Sequence, residues 1–116
     1  MAVTAYASGS QTASVGTEHF LSSPNVAGTY TFHVNSLNMV AGDVLELRIY
    51  QMILTGDPPE IAFYGQFSGI QNINDRIKVS PPISNELTDT NALRFSLTQV
   101  TGAAGRVFKW KVLNHA

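Results

Sequence analysis

Three histidines, eight carboxylates and no cysteine are all that this chain of 116 residues offers for metal, nucleophilic or acid–base chemistry. His19, His33 and His115 show neither the His-x-His nor the His-x3-His spacing that puts two imidazoles on one metal, so they read as surface histidines. Without cysteine there is no disulfide, thiol catalysis or thiolate ligand. No Gly-x-Ser-x-Gly elbow presents a serine, so a triad has no starting point. Most acids sit where turn chemistry explains them: Asp43 follows Gly42, Asp57 precedes Pro58, and Asp75 and Asp89 fall in Asn-containing loops. A glycosidase needs two facing carboxylates, and only Glu46 and Glu60 have strand placement. Asn72, Asn74 and Asp75 carry too few acids for a calcium loop. The glycines of Gly102–Arg106 join two strands rather than a strand and a helix, which is not a phosphate cradle. The expectation is a protein that is not an enzyme and uses no cofactor or metal.

The elements around these residues are strands. Tyr30, Phe32 and Val34 alternate with Thr29, Thr31 and His33, and Leu45, Leu47 and Ile49 with Glu46, Arg48 and Tyr50. Leu93, Phe95 and Leu97, then Phe108, Trp110 and Val112, repeat the device. Successive strand side chains point to opposite faces, so this alternation describes half-buried strands sharing a core. Seven strands are predicted: Glu18–Leu21, Thr29–Val34, Val44–Ile53, Ile61–Phe67, Arg76–Val79, Leu93–Val100 and Val107–Leu113. Breakers such as Gly56-Asp57-Pro58-Pro59 and Pro81-Pro82 separate them at the spacing of an all-β sandwich or jelly roll. Asn35–Ala41 could hold one helical turn. Residues 17–116 then form a single antiparallel β-sandwich, and the low-complexity residues 1–16 an extended arm, either frayed or laid on a neighbour that orders it.

Charge is sparse, at 13% of residues, and lopsided. Residues 1–75 hold six acids and one base, residues 76–116 six bases and two acids. Pairing across neighbouring strands would explain this, and the neutral polar surface suits assembly. If Leu93–Val100 and Val107–Leu113 form a hairpin, Arg94, Lys109 and Lys111 share its outer face as a cationic contact strip. Six bases in a chain of net charge −1 do not make a nucleic-acid surface. No apolar run approaches the ~18 residues of a membrane span, and the start lacks a basic n-region. Tyr50 and Tyr64 fall on outer faces, where with Gln51, Gln66, Asn72 and Asn74 they could form a glycan platform or the centre of a protein interface.

Two segments carry a family resemblance: Val40-Ala41-Gly42-Asp43-Val44-Leu45-Glu46-Leu47-Arg48-Ile49-Tyr50, and the stretch from Leu93 to Leu113 with its Gly105-Arg106 turn before Phe108-Lys109-Trp110. They resemble small virion-associated proteins of tailed bacteriophages. The resemblance implies a capsid decoration (cement) protein on the virion surface, made in the host cytoplasm. It binds the major capsid protein and assembles as a homo-oligomer, a trimer being favoured. The implied interface residues are Val3, Tyr6 and Val15 on the arm, Tyr50 and Tyr64, and Arg94, Lys109 and Lys111. The alternative is a glycan- or receptor-binding module of a head or tail fibre.

Overall fold

The computed structural model describes residues 2–115; residue 1 of the expected arm and residue 116 lie outside the described residues. The alternating segments become strands of two antiparallel sheets packed face to face. The strands are β1 (Val3–Thr12), β2 (Glu18–Ser22), β3 (Gly28–Asn35), β4 (Val44–Gln51), β5 (Glu60–Ser68), β6 (Ile77–Val79), β7 (Ile83–Asn85), β8 (Leu93–Thr101) and β9 (Val107–His115). One sheet runs β1-β9-β3-β6, with β7 also on β3, and the other β2-β8-β4-β5.

The period-two residues do what their pattern requires. Tyr30, Phe32, Val34, Phe108 and Val112 from one sheet meet Leu45, Leu47, Ile49, Leu93, Phe95 and Leu97 from the other, all buried. Phe95 is the centre of this contact, with Phe32 edge-on at 5.5 Å and Tyr30 at 6.3 Å between ring centroids. Such aromatic pairs add to the burial term by about 0.5–1.5 kcal/mol. The Tyr30 hydroxyl escapes desolvation by donating to the Val26 carbonyl at 2.6 Å. Phe63, Phe67 and Trp110 pack against the core while remaining half-buried at its margin.

Several expectations from sequence change here. The low-complexity N-terminus is β1, laid antiparallel on β9 of its own chain. Backbone pairing supplies the order that its small side chains cannot. Gly9 lies flat on the Trp110 indole, where an added Cβ would sit 3.4 Å from the ring. A bulge between Ala5 and Ala7 brings Tyr6 edge-on to Tyr30 at 5.7 Å. The Asn35–Ala41 segment forms turns, and the single 3₁₀ turn among the described residues is Ile73–Asp75, whose first N–H groups are capped by Asn72. Strand β4 stops at Gln51, leaving Ile53 exposed in the following loop. The short β7 was hidden by the two prolines before it. Pro81 and Pro82 lack N–H groups, so the strand facing β3 is split in two. Ser80 fills the gap, its hydroxyl accepting from the Phe32 N–H at 2.9 Å and its own N–H donating to the Phe32 carbonyl.

The largest correction concerns β8 and β9. They do not form a hairpin: β8 pairs with β2 and β4, β9 with β1 and β3. The loop Gly102–Arg106 crosses from one sheet to the other, so the two strands meet across the core. Alternation specifies which side of a strand is buried but not which strand lies beside it, and both connections satisfy it. The crossing is held by the buried Gln99. Its amide donates to the Ala104 carbonyl at 2.8 Å, and its Oε1 accepts from the Arg106 N–H at 2.8 Å. Arg106 in turn donates through Nε to the fully buried Asp43 at 2.9 Å.

Gln99→Leu keeps the volume of this side chain but leaves the Ala104 carbonyl and the Arg106 N–H unpaired. We expect a stability loss of at least about 1–3 kcal/mol in denaturant unfolding, the penalty of orphaned buried polar groups. A variant as stable as the parent would show that the amide does not hold the crossing.

Candidate functional site

The outward side of the four-stranded sheet carries the densest set of functional side chains. Strand register sets them in rows: Phe20, Ser96, Arg48 and Tyr64 lie in one, and Glu18, Thr98, Glu46 and Gln66 in the next, with Tyr50 opposite Arg94 beyond. Glu18 Oε2 accepts from the Tyr50 hydroxyl at 2.7 Å and from the Ser96 hydroxyl at 2.6 Å. Arg48 Nη2 donates to Glu46 Oε1 at 2.7 Å, and Glu46 Oε2 accepts from the Tyr64 hydroxyl at 2.5 Å. Arg48 also lies 5.3 Å from the Tyr64 ring centroid and within 3.9 Å of Glu18. Arg94 covers Phe20 at 3.6 Å.

Burial, then the Glu18 hydrogen bond, pushes the Tyr50 phenol above its ordinary range. For Tyr64 the Glu46 hydrogen bond is the main cause of a shift in the same direction. Both tyrosines therefore stay neutral donors at physiological pH. Each carboxylate is engaged by a guanidinium and by hydroxyl donors, so neither is a free base, and the one serine in the network, Ser96, is buried beneath it. The result is a flat, pre-organised polar surface on which the Phe20 and Tyr64 rings are exposed.

Tyr50 and Tyr64 thus share a face, as expected, and Gln66 joins them at 3.5 Å from Glu46. The other amides do not. Gln51 turns to the Ser84 carbonyl, and Asn72 and Asn74 lie at the 3₁₀ turn. The arginines and acids of this face replace them. Phe20 escaped notice because Phe20-Leu21 gives the short β2 no unambiguous alternation.

The cationic strip comes apart. Arg94 stands on the four-stranded sheet, while Lys109 and Lys111 stand on the outer side of the other sheet, because their strands belong to different layers. There the neighbours of the lysines are histidines. His33 lies opposite Lys111, and Thr31 Oγ1 bonds both His33 Nε2 and His115 Nε2 at 2.8 Å. Strands β1, β3 and β9 contain no Asp or Glu, and among the described residues no ion pair involves Lys109 or Lys111. A shallow depression of about 330 Å³ opens between His33, Asn35, Ile77, Lys109 and Lys111. The arm residues Val3, Tyr6 and Val15 are all exposed to some degree, and Val3 and Tyr6 lie on β1 at the sheet edge.

A second hollow, at the open side of the sandwich, is lined by Leu47, Phe63 and Phe67. Lys78 closes it from within, its Nζ 3.0 Å from Asp75 Oδ2 and 4.5 Å from the Phe67 centroid. Among the described residues no three His, Cys, Asp or Glu side chains group to hold a metal, and no helix is long and apolar enough to cross a membrane.

Burial, then the charges of Lys111 and His115, lower the His33 pKa below its ordinary 6.5. The unfolded chain therefore takes up this proton at higher pH than the folded one. Stability from this group is complete above pH 6.5 and falls as the pH drops through the folded value. Thermal melts of the parent should lose stability over that acid window, and His33→Gln should flatten the loss. An equal slope in both proteins would assign the acid sensitivity elsewhere.

No protein-family model, no curated protein and no solved structure matches the chain.

Proposed function

We propose that the chain is an accessory structural protein of a tailed-phage head, a decoration protein that binds the assembled shell. The observation that carries this reading is β1. It is ten residues long, uncharged and free of proline, and it ends its sheet, so its outer hydrogen-bonding edge has no strand partner within the described residues. Edges of this kind are usually blocked by charge, proline or brevity. Here the bulge interrupts only the start, and Ala7–Thr12 runs regularly along β9. An open edge accepts an extended segment of another protein through backbone bonds, with little demand on side-chain chemistry. Several copies, each making a modest contact of this sort, would tie capsomers together by avidity. The resemblance of residues 40–50 and 93–113 to virion-associated proteins supports the same role.

The alternative, a glycan- or receptor-binding module, draws on the sheet surface where Tyr64 is 48% exposed beside Arg48, Glu46 and Gln66. A ring backed by a cation and flanked by fixed hydrogen-bonding groups can stack on a sugar.

Two lysines should close the edge without disturbing the core. Ala5 lies opposite Leu113 and Thr12 opposite Val107, and both are exposed. Ala5→Lys/Thr12→Lys should fold normally yet occupy purified heads at least about tenfold more weakly, given the desolvation of charge in a strand pairing. Undiminished occupancy would remove β1 as the contact. A glycan array tests the alternative: binding abolished by Tyr64→Ala, with head association intact, would favour it.

A further inference from the structure

Among the described residues Arg76, Arg94 and six other charges form no ion pair, and those six gather in two patches of opposite sign. Asp57, Glu60, Glu86 and Asp89 form none of the ion pairs found among the described residues, which use Glu18, Asp43, Glu46 and Asp75. Those four acids gather at one end. Asp57 belongs to the β4–β5 loop and Glu60 opens β5 at its end, and Thr55 of that loop donates to Asp89 at 3.2 Å. The same loop displays Ile53 and Leu54, each 66% exposed. It is a stiff projection. The Asp57 N–H closes a turn on the Leu54 carbonyl at 3.0 Å, Gly56 takes φ +89°, and Pro58-Pro59 follow.

The opposite patch is the outer side of the β1-β9-β3-β6 sheet. Register places Val79, His33 and Lys111 in one row and Ile77, Asn35 and Lys109 in the next. Two exposed aliphatic side chains, Ile77 and Val79, thus stand about 10 Å across the strands from two lysines, given the spacing of neighbouring strands. The 330 Å³ depression lies between them. An apolar pair beside an acidic pair on the loop corresponds to an apolar pair beside a basic pair on the sheet.

We infer that this face receives the β4–β5 loop of a second copy of the chain, Ile53 and Leu54 entering the depression against Ile77 while Asp57 and Glu60 reach Lys109 and Lys111. Contacts of like with like are disfavoured. Face on face opposes lysine to lysine, and loop on loop opposes acid to acid. The contact is therefore heterologous, and repeated it forms a closed ring or an open filament according to the rotation it imposes. The rigid loop loses little freedom on docking. Two lysines are also too few for a nucleic-acid partner, whose affinity grows with the number of phosphates neutralised. This contact goes beyond the decoration reading and does not depend on it.

Sedimentation velocity over a concentration series tests the contact. The parent should self-associate in low salt and dissociate as salt rises. Lys109→Glu/Lys111→Glu and Asp57→Lys/Glu60→Lys should each weaken association at least about tenfold, and an equimolar mixture of the two should assemble again, since each restores the sign its partner lost. A parent that stays monomeric at every concentration, variants that assemble like the parent, or a mixture that fails to recover would each overturn the inference. Circular dichroism checks the fold. If a charge reversal unfolds the domain, Lys109→Gln/Lys111→Gln takes its place, and association indifferent to both that variant and salt overturns the inference equally. Head occupancy by the same variants is a separate measurement, so the decoration reading can fail or stand on its own.

Discussion

The strands that build the core must each hide one side, and the fold depends on where the chain changes sheets while doing so. The decisive change is at Gly102–Arg106. Had β9 turned back beside β8, the four-stranded sheet would have grown and the other would have lost its central strand, since β9 joins β1 to β3. The crossing needs polar groups inside an apolar sandwich, and the chain supplies partners for most of them. Gln99 satisfies the loop backbone and Asp43 fixes Arg106, while the Ala13 N–H donates to the Arg106 carbonyl and ties the entry of β9 to the end of β1. Gly105 is required there because an added Cβ would collide with the Ala13 carbonyl. One small polar node thus sets the order of both sheets.

Which residues are buried was legible from the sequence, because burial in a strand is a local property with a period of two. Leu45, Leu47, Ile49, Phe95, Leu97, Phe108 and Val112 all lie inside as their spacing demands. Strand partnership was not legible, because it is a property of two distant segments and of the loop between them. The misplaced cationic strip follows from that alone: Arg94 and Lys109 were each assigned correctly to an outer side, but of different sheets. Strand β1 was hidden for another reason. Its residues have neither alternation nor bulk, and its order comes from backbone bonds that no side chain announces.

The candidate site was half visible. Tyr50 and Tyr64 belong to neighbouring strands joined by one loop, so their common face follows from parity and a short connection. Glu18 and Phe20 reach the same surface only because β2 pairs with β8, a contact that spans much of the chain. The sparse charge has a related meaning. One acid of the first part of the sequence, Asp43, pairs with a distant base of the second, Arg106, while Glu18 and Glu46 share Arg48 and Asp75 pairs locally with Lys78, so pairing across strands accounts for little of the lopsided distribution. Of the charges that pairing leaves over, Lys109 and Lys111 stand on one outer sheet surface, Arg94 on the other, and Asp57, Glu60 and Asp89 at one end.

On the proposed decoration reading, such a surface binds through shape and backbone rather than through reactive groups. Glu18 and Glu46 are engaged by Arg48 and by tyrosine hydroxyls, and the buried Gln99 is spent on the crossing. An open strand edge, a patterned polar sheet and a positive sheet lie on different sides of the same sandwich. One subunit can therefore use them at once, which is the geometric condition for a protein that links several neighbours. The polar groups are distributed over opposite surfaces, and the close packing of the shared core keeps those surfaces at fixed angles to one another.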